Sequence, residues 1–202
     1  MKKKLYLFLV LVVLSTFVVG GLTFALFTAQ ASNDVKPFKA GSVSIDLDRG
    51  NGESIPGPMF YTTAALGMVQ TGPYAGIEGM DPTGTWTPGD SHARSSIVKN
   101  DGTLQAKLTG VRADYTGSDA LKNALVVTVT KQSGGVVLYQ GPLSGLCTAS
   151  FVNLATPPLI NPGGKLDINF TVALPLTAGN DCQGQDLKVD FYLLAEQNKN
   201  NP

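Results

Sequence analysis

Apolar and polar residues exchange places at every second position along most of this chain, and that spacing puts alternate side chains on opposite faces of a β-strand. Val43, Ile45 and Leu47 alternate with Ser42, Ser44, Asp46 and Asp48, which predicts a half-buried strand. Leu104, Ala106 and Leu108 alternate with Gln105 and Lys107; the pattern then slips at Gly110 before Val111, predicting a bulge or bend. Leu125–Thr130 and Val136–Gln140 flank KQSGG, a glycine-containing connection of hairpin length. Leu166, Ile168, Phe170, Val172 and Leu174 share one face of a strand, and Leu187, Val189, Phe191, Leu193 and Ala195 repeat the scheme.

Turn chemistry separates these runs. Pro88 and Gly89 of TPGD occupy the central positions that a type II turn prefers, and KNDGT and NPGGK are similar punctuation. One short helix is predicted at SDALKNAL: Ser118 can cap it, Asp119 suits its first turn, and Leu121 and Leu125 share a face. Six or more strands with almost no helical period predict an all-β protein, an antiparallel β-sandwich with one or two short helices. Residues 49–85 are rich in glycine and proline around the apolar MFYTTAALGMVQ. They read as an excursion packed on one edge of the sandwich, or as a surface loop with a short element inside it.

The start of the chain changes the picture. Residues 1–25 read as a secretory signal, with Lys2, Lys3 and Lys4 before the apolar Leu5–Val19. Small Thr23 and Ala25 favour cleavage between Ala25 and Leu26. A second site ends at Ala31, and a third reading retains the uncharged Leu5–Phe27 as an anchor. Residues 26–41 form an N-terminal segment, 42–198 the sandwich domain, and 199–202 a tail. Without the three lysines the chain carries 12 basic against 15 acidic residues, a net charge of about −3. No basic tract appears, so nucleic acid is not an expected partner. Cys147 and Cys182 both lie in the exported part, where a disulfide is permitted, and form a candidate pair.

Catalytic chemistry finds little support. The single histidine, His92, follows the PGD turn and reads as an exposed loop residue. HExxH is absent, and no GxSxG elbow accompanies the histidine, so no catalytic or metal residue is assigned and no enzyme is expected. Asp46, Asp48 and Glu53 lie near a turn without the ligand spacing of an EF-hand; weak calcium binding is the one cofactor expectation there. Trp86 reads as a core or edge-covering aromatic.

Four segments together resemble the TasA/camelysin family of exported bacterial proteins, whose best-known members build biofilm matrix fibres. They are GGLTFALF at the leader's end, FKAGSVSIDL (Phe38–Leu47), WTPGDSHARSSIVKNDGTLQAKL with its PGD turn and Asn100-x-Gly102, and LKVDFYLLAEQ ending in Ala195 and Gln197. The glycine-rich excursion and a divergent middle depart from the family pattern. The resemblance implies a jelly-roll-like sandwich, processing by a dedicated signal peptidase, and secretion to the matrix or cell surface. It also implies head-to-tail polymerisation, in which one subunit's N-terminal segment pairs into the next subunit's sheet. Leu26, Phe27, Val35 and Phe38 are the candidate donor-strand residues on that reading. The expected partners are other copies of the chain, the signal peptidase, and minor fibre or anchoring proteins. The alternatives are a camelysin-type surface metallopeptidase, and a surface adhesin or carbohydrate-binding module using residues 49–85.

Overall fold

A computed structural model describes residues 42–49, 58–62 and 82–198, together with the backbone of 28–31. The cleavage residues Ala25 and Leu26 and the donor candidates Leu26, Phe27, Val35 and Phe38 lie outside the described residues, as does Glu53. Two antiparallel sheets face each other in a jelly-roll-like sandwich. The first is built on β5 (Ala106–Gly117) and β11 (Leu187–Gln197). β1 (Thr28–Ala31) and β3 (Phe60–Tyr61) pair the outer edge of β11, and the two-residue strands β8 (Val152–Asn153) and β9 (Leu159–Ile160) pair the outer edge of β5. The second sheet runs β2 (Ile45–Arg49), β4 (Ser91–Asn100), β10 (Lys165–Ala173), β6 (Val126–Lys131), β7 (Val136–Pro142).

The period-two pattern closes the core. Ile168, Phe170 and Val172 of β10 and Val189, Phe191 and Leu193 of β11 all face inward and are buried. The rings of Phe170 and Phe191 meet across the two sheets at 4.8 Å. Burying each such side chain stabilises the fold by about 1.5–3 kcal/mol. The slip before Val111 is a β-bulge: Gly110 pairs with Leu194 but Leu108 with Ala195, leaving Thr109 as the extra residue. Ala106 and Leu108 on one side of it, and Val111 and Ala113 on the other, can therefore all reach the core.

Helix α1 (Asp119–Ala124) starts where the sequence predicts, with Ser118 Oγ accepting from the Leu121 N–H at 3.3 Å and Leu121 and Leu125 fully buried. The sequence pattern did not locate α2 (Leu143–Leu146), a single turn, or β8 and β9, which are too short to show a period, whereas β3 is a short element inside residues 49–85, as one reading of that stretch expects. The TPGD turn is type II in character: Asp90 N–H donates to Thr87 O at 2.9 Å, and Gly89 takes φ 99°.

Asn100 ties three segments together from a fully buried position. Its Nδ2 donates to Leu104 O (2.8 Å) and Ile160 O (2.9 Å), and its Oδ1 accepts from the Gly102 N–H (3.0 Å). The turn that follows clasps the entry to β2, with Asp101 N–H donating to Ser44 O and Thr103 N–H to Ser42 O. Gly102 lies so close to that entry that a Cβ would stand 2.0 Å from Ser42 O. Asn100→Ala strands three backbone partners, two of them in buried bonds, so a loss of about 3 kcal/mol is expected. Gly102→Ala is expected to destabilise through the backbone clash. Urea unfolding should show both as lower midpoints at an unchanged slope.

Candidate functional site

β11 pairs β5 along its whole length, so its remaining edge decides how this sheet ends. The Met59 and Thr62 N–H groups donate to Val189 O and Leu187 O at 2.8 and 3.0 Å, which shows that odd-numbered residues of β11 turn their backbone groups outward. By alternation Leu193 and Ala195 do the same, opposite Ala31 and Ala29 of β1. β1 also lies against β2, the edge of the other sheet, and so covers the flank where the two sheets part. The N-terminal segment proposed for a neighbour thus pairs, through Thr28–Ala31, with the sheet of its own chain. Ten residues, 32–41, separate it from the clasp at Ser42. β3, inside the glycine-rich excursion, occupies the other end of the same edge. Arg94, buried on β4, reaches across to it, its guanidinium 5.3 Å from the Phe60 ring centre.

The remaining sequence-predicted residues are placed as follows. His92 is on β4 and half-buried, not in an exposed loop, because β4 begins directly after the PGD turn. Asp46 and Asp48 stand on β2 with Lys99 across on β4; Asp48 is buried and ion-paired with Lys99. Burial, then the Asp48 charge, pushes the Asp46 carboxyl up. No group of three or more metal-ligating side chains occurs among the described residues.

The candidate pair Cys147 and Cys182 is not bonded in this structure; both are free thiols. They occupy different surroundings. Cys182 is buried in the main core, whereas Cys147 lines a cleft of about 320 Å³ with Arg112, Asp114, Tyr115 and Thr148. Burial pushes the Cys147 thiol up to about 11 and raises that of Cys182 as well. Above the cleft the Arg112 guanidinium lies over Tyr192 at 4.7 Å and Phe151 at 5.6 Å, and Lys122 over Tyr115 at 4.6 Å. Phe151, Tyr192 and Tyr115 thus each carry one of the protein's own cations on a ring face.

No family model matches the chain, and no curated protein matches it. Among solved structures, an ASH/PapD-like domain of human CEP192 aligns over 83% of this chain and 82% of that one, at 16% identity and a TM-score of 0.33.

Two outcomes follow. Ala29→Pro with Ala31→Pro removes both outward donors of β1; amide exchange at Leu193 and Ala195 should accelerate while Ile168 and Phe170 stay protected, with a stability loss of about 1–2 kcal/mol. Thiol titration at pH 8 should proceed slowly in the folded protein and count two thiols once denaturant is added, because thiolate is scarce while the fold persists.

Proposed function

We propose that the chain is a secreted structural subunit of extracellular filaments, a biofilm matrix fibre or pilus-like polymer, whose copies join by exchanging the strand that fills the outer edge of β11. The observation that carries this reading is the pairing of Thr28–Ala31 with Leu193–Glu196 by a strand set ten residues ahead of the domain's first clasped position. The resemblance of the ordered landmarks to the TasA/camelysin family supports it. Pairing a strand on an open edge supplies main-chain hydrogen bonds whichever copy provides the strand. Self-pairing and exchange therefore make the same contacts, and the balance is set by the effective concentration of the strand on its tether. Ten extended residues span at most about 33–36 Å, enough to reach a neighbour packed end to end. One-way exchange leaves a free strand and a free edge at the two ends of every oligomer, so it grows into a filament. Catalysis has no part in this reading, and its partners are other copies, the processing peptidase, and minor fibre or anchoring proteins.

Processing decides whether the strand exists. Cleavage between Ala25 and Leu26 keeps Thr28–Ala31, whereas cleavage after Ala31 removes it. Electron microscopy of the chain starting at Leu26, beside chains starting at Ser32 and Lys39, tests the proposal. Filaments are expected from the first only, and the Ala29→Pro, Ala31→Pro variant of that chain should not form them. Filaments from all three would remove the N-terminal strand from the mechanism.

A further inference from the structure

The chain has one histidine and one tryptophan, and the fold puts them in ring contact: His92 and Trp86 stand 4.8 Å apart, centre to centre, at an interplanar angle of 84°. Trp86 is 3% exposed, although it lies in irregular chain between Pro82 and the PGD turn. This strap crosses one end of the sandwich. At its start Thr83 bonds β3, with N–H and Oγ1 donating to Tyr61 O at 2.8 and 3.1 Å. Its other end bonds the end of β10: Gly89 N–H donates to Leu174 O, and Leu174 N–H to Asp90 O. Trp86 is the strap's buried anchor between these two attachments, and His92 is the polar surface on which it rests.

We infer that the His92–Trp86 contact is a pH-sensitive latch: a neutral imidazole holds the 82–90 strap closed over the sandwich end, and protonation of His92 loosens it. The inference stands apart from filament formation. An imidazolium can gain from an indole face, so ring contact alone does not oppose the proton. Two other features do. His92 is half-buried, and Arg94 lies two positions along the same side of β4, itself buried against Phe60 and Tyr61. Protonation would set a second cation on that face. The opposing group is Asp90, whose carboxylate is already held by the Thr87 N–H at 2.6 Å, and the cross-strand neighbour on β10, Val172, is apolar. Burial, followed by Asp90 and Arg94 with opposite signs, leaves the His92 imidazole below its usual range.

The sign follows from linkage. A histidine with a depressed folded-state pKa takes up protons less readily closed than open, so closure is fully favoured above about pH 6.5 and weakens as pH falls toward the folded-state value. Each unit of depression becomes roughly a tenfold rise in the opening equilibrium once both states are protonated.

Since Trp86 is the sole tryptophan, its emission reports the latch directly. The full mature chain is titrated from pH 8 to pH 5, following Trp86 emission, acrylamide quenching, and hydrogen exchange of the 82–90 amides. Acrylamide access and strap exchange should rise together with a midpoint below 6.5 while exchange in β10 stays slow, and His92→Gln should remove the transition. Should the glutamine variant open the strap at every pH, His92→Phe restores an aromatic contact without a titrating group and is expected to stay closed throughout. A change in emission with no gain in acrylamide access or strap exchange would overturn the latch. So would a transition that persists in His92→Gln, or a strap that is open at all pH in both variants.

Discussion

The structure turns on the backbone edge of β11. A strand in a sheet carries two rows of peptide groups, and a row left without partners costs stability and invites another chain. β5 satisfies one row of β11 from Leu187 to Gln197. Among the described residues, the other row is met by two residues of β3 and four of β1, both drawn from the N-terminal third of the chain. The last strand in sequence is thus completed by nearly the first, the pairing with the greatest loop-closure cost in the fold. The opposite sheet ends differently: on the free side of β7, Leu138 O accepts from the Ala155 N–H, and a bulge interrupts the ladder there. That edge is blunted by the body of the domain, whereas the β11 edge depends on a tethered piece.

Composition sets β1 apart from the embedded strands. The embedded strand β10 buries Leu166, Ile168, Phe170 and Val172, so removing it would expose several large apolar side chains at about 1.5–3 kcal/mol each. The sequence of β1, TAQA, holds no large apolar residue. A strand of that composition draws mainly on main-chain pairing, worth about 1 kcal/mol net per hydrogen bond. On the proposed filament reading, a strand of that kind leaves one edge and joins an equivalent one without carrying a large hydrophobic penalty through water.

Much of the fold was legible because its signals are local. The alternation in β10 and β11, the Ser118 cap, the TPGD turn and the slip at Gly110 each depend on residues within a few positions, and each appears where the sequence put it. What the sequence missed depends on distant partners. Two-residue strands have no period of their own and exist because β5 and β11 offer edges to bind. His92 looked like loop because it follows a turn, yet β4 starts one residue earlier, at Ser91, and Trp86 folds back over the ring. Alternation put Asp48 on an outer face, and it is buried there beside Lys99. The cysteines looked alike in sequence but face a core and a cleft, a distinction made only by tertiary packing.

The described parts of the segments quoted for the resemblance take defined places in the fold. Asn100 and Gly102 were quoted as one landmark and FKAGSVSIDL as another; in the fold they are a single device, since the turn after Asn100 holds Ser42 and Ser44 by two backbone hydrogen bonds and Gly102 leaves room for them. LKVDFYLLAEQ is the whole of β11, and its closing Ala195 is the position that meets β1. The PGD turn fixes the strap whose buried Trp86 covers His92. These contacts fix the point at which the chain enters β2, the edge of β11 that β1 fills, and the closing of that edge beside β3. On the filament reading proposed above, an arm clasped at its root supplies the strand while the receiving edge keeps its register.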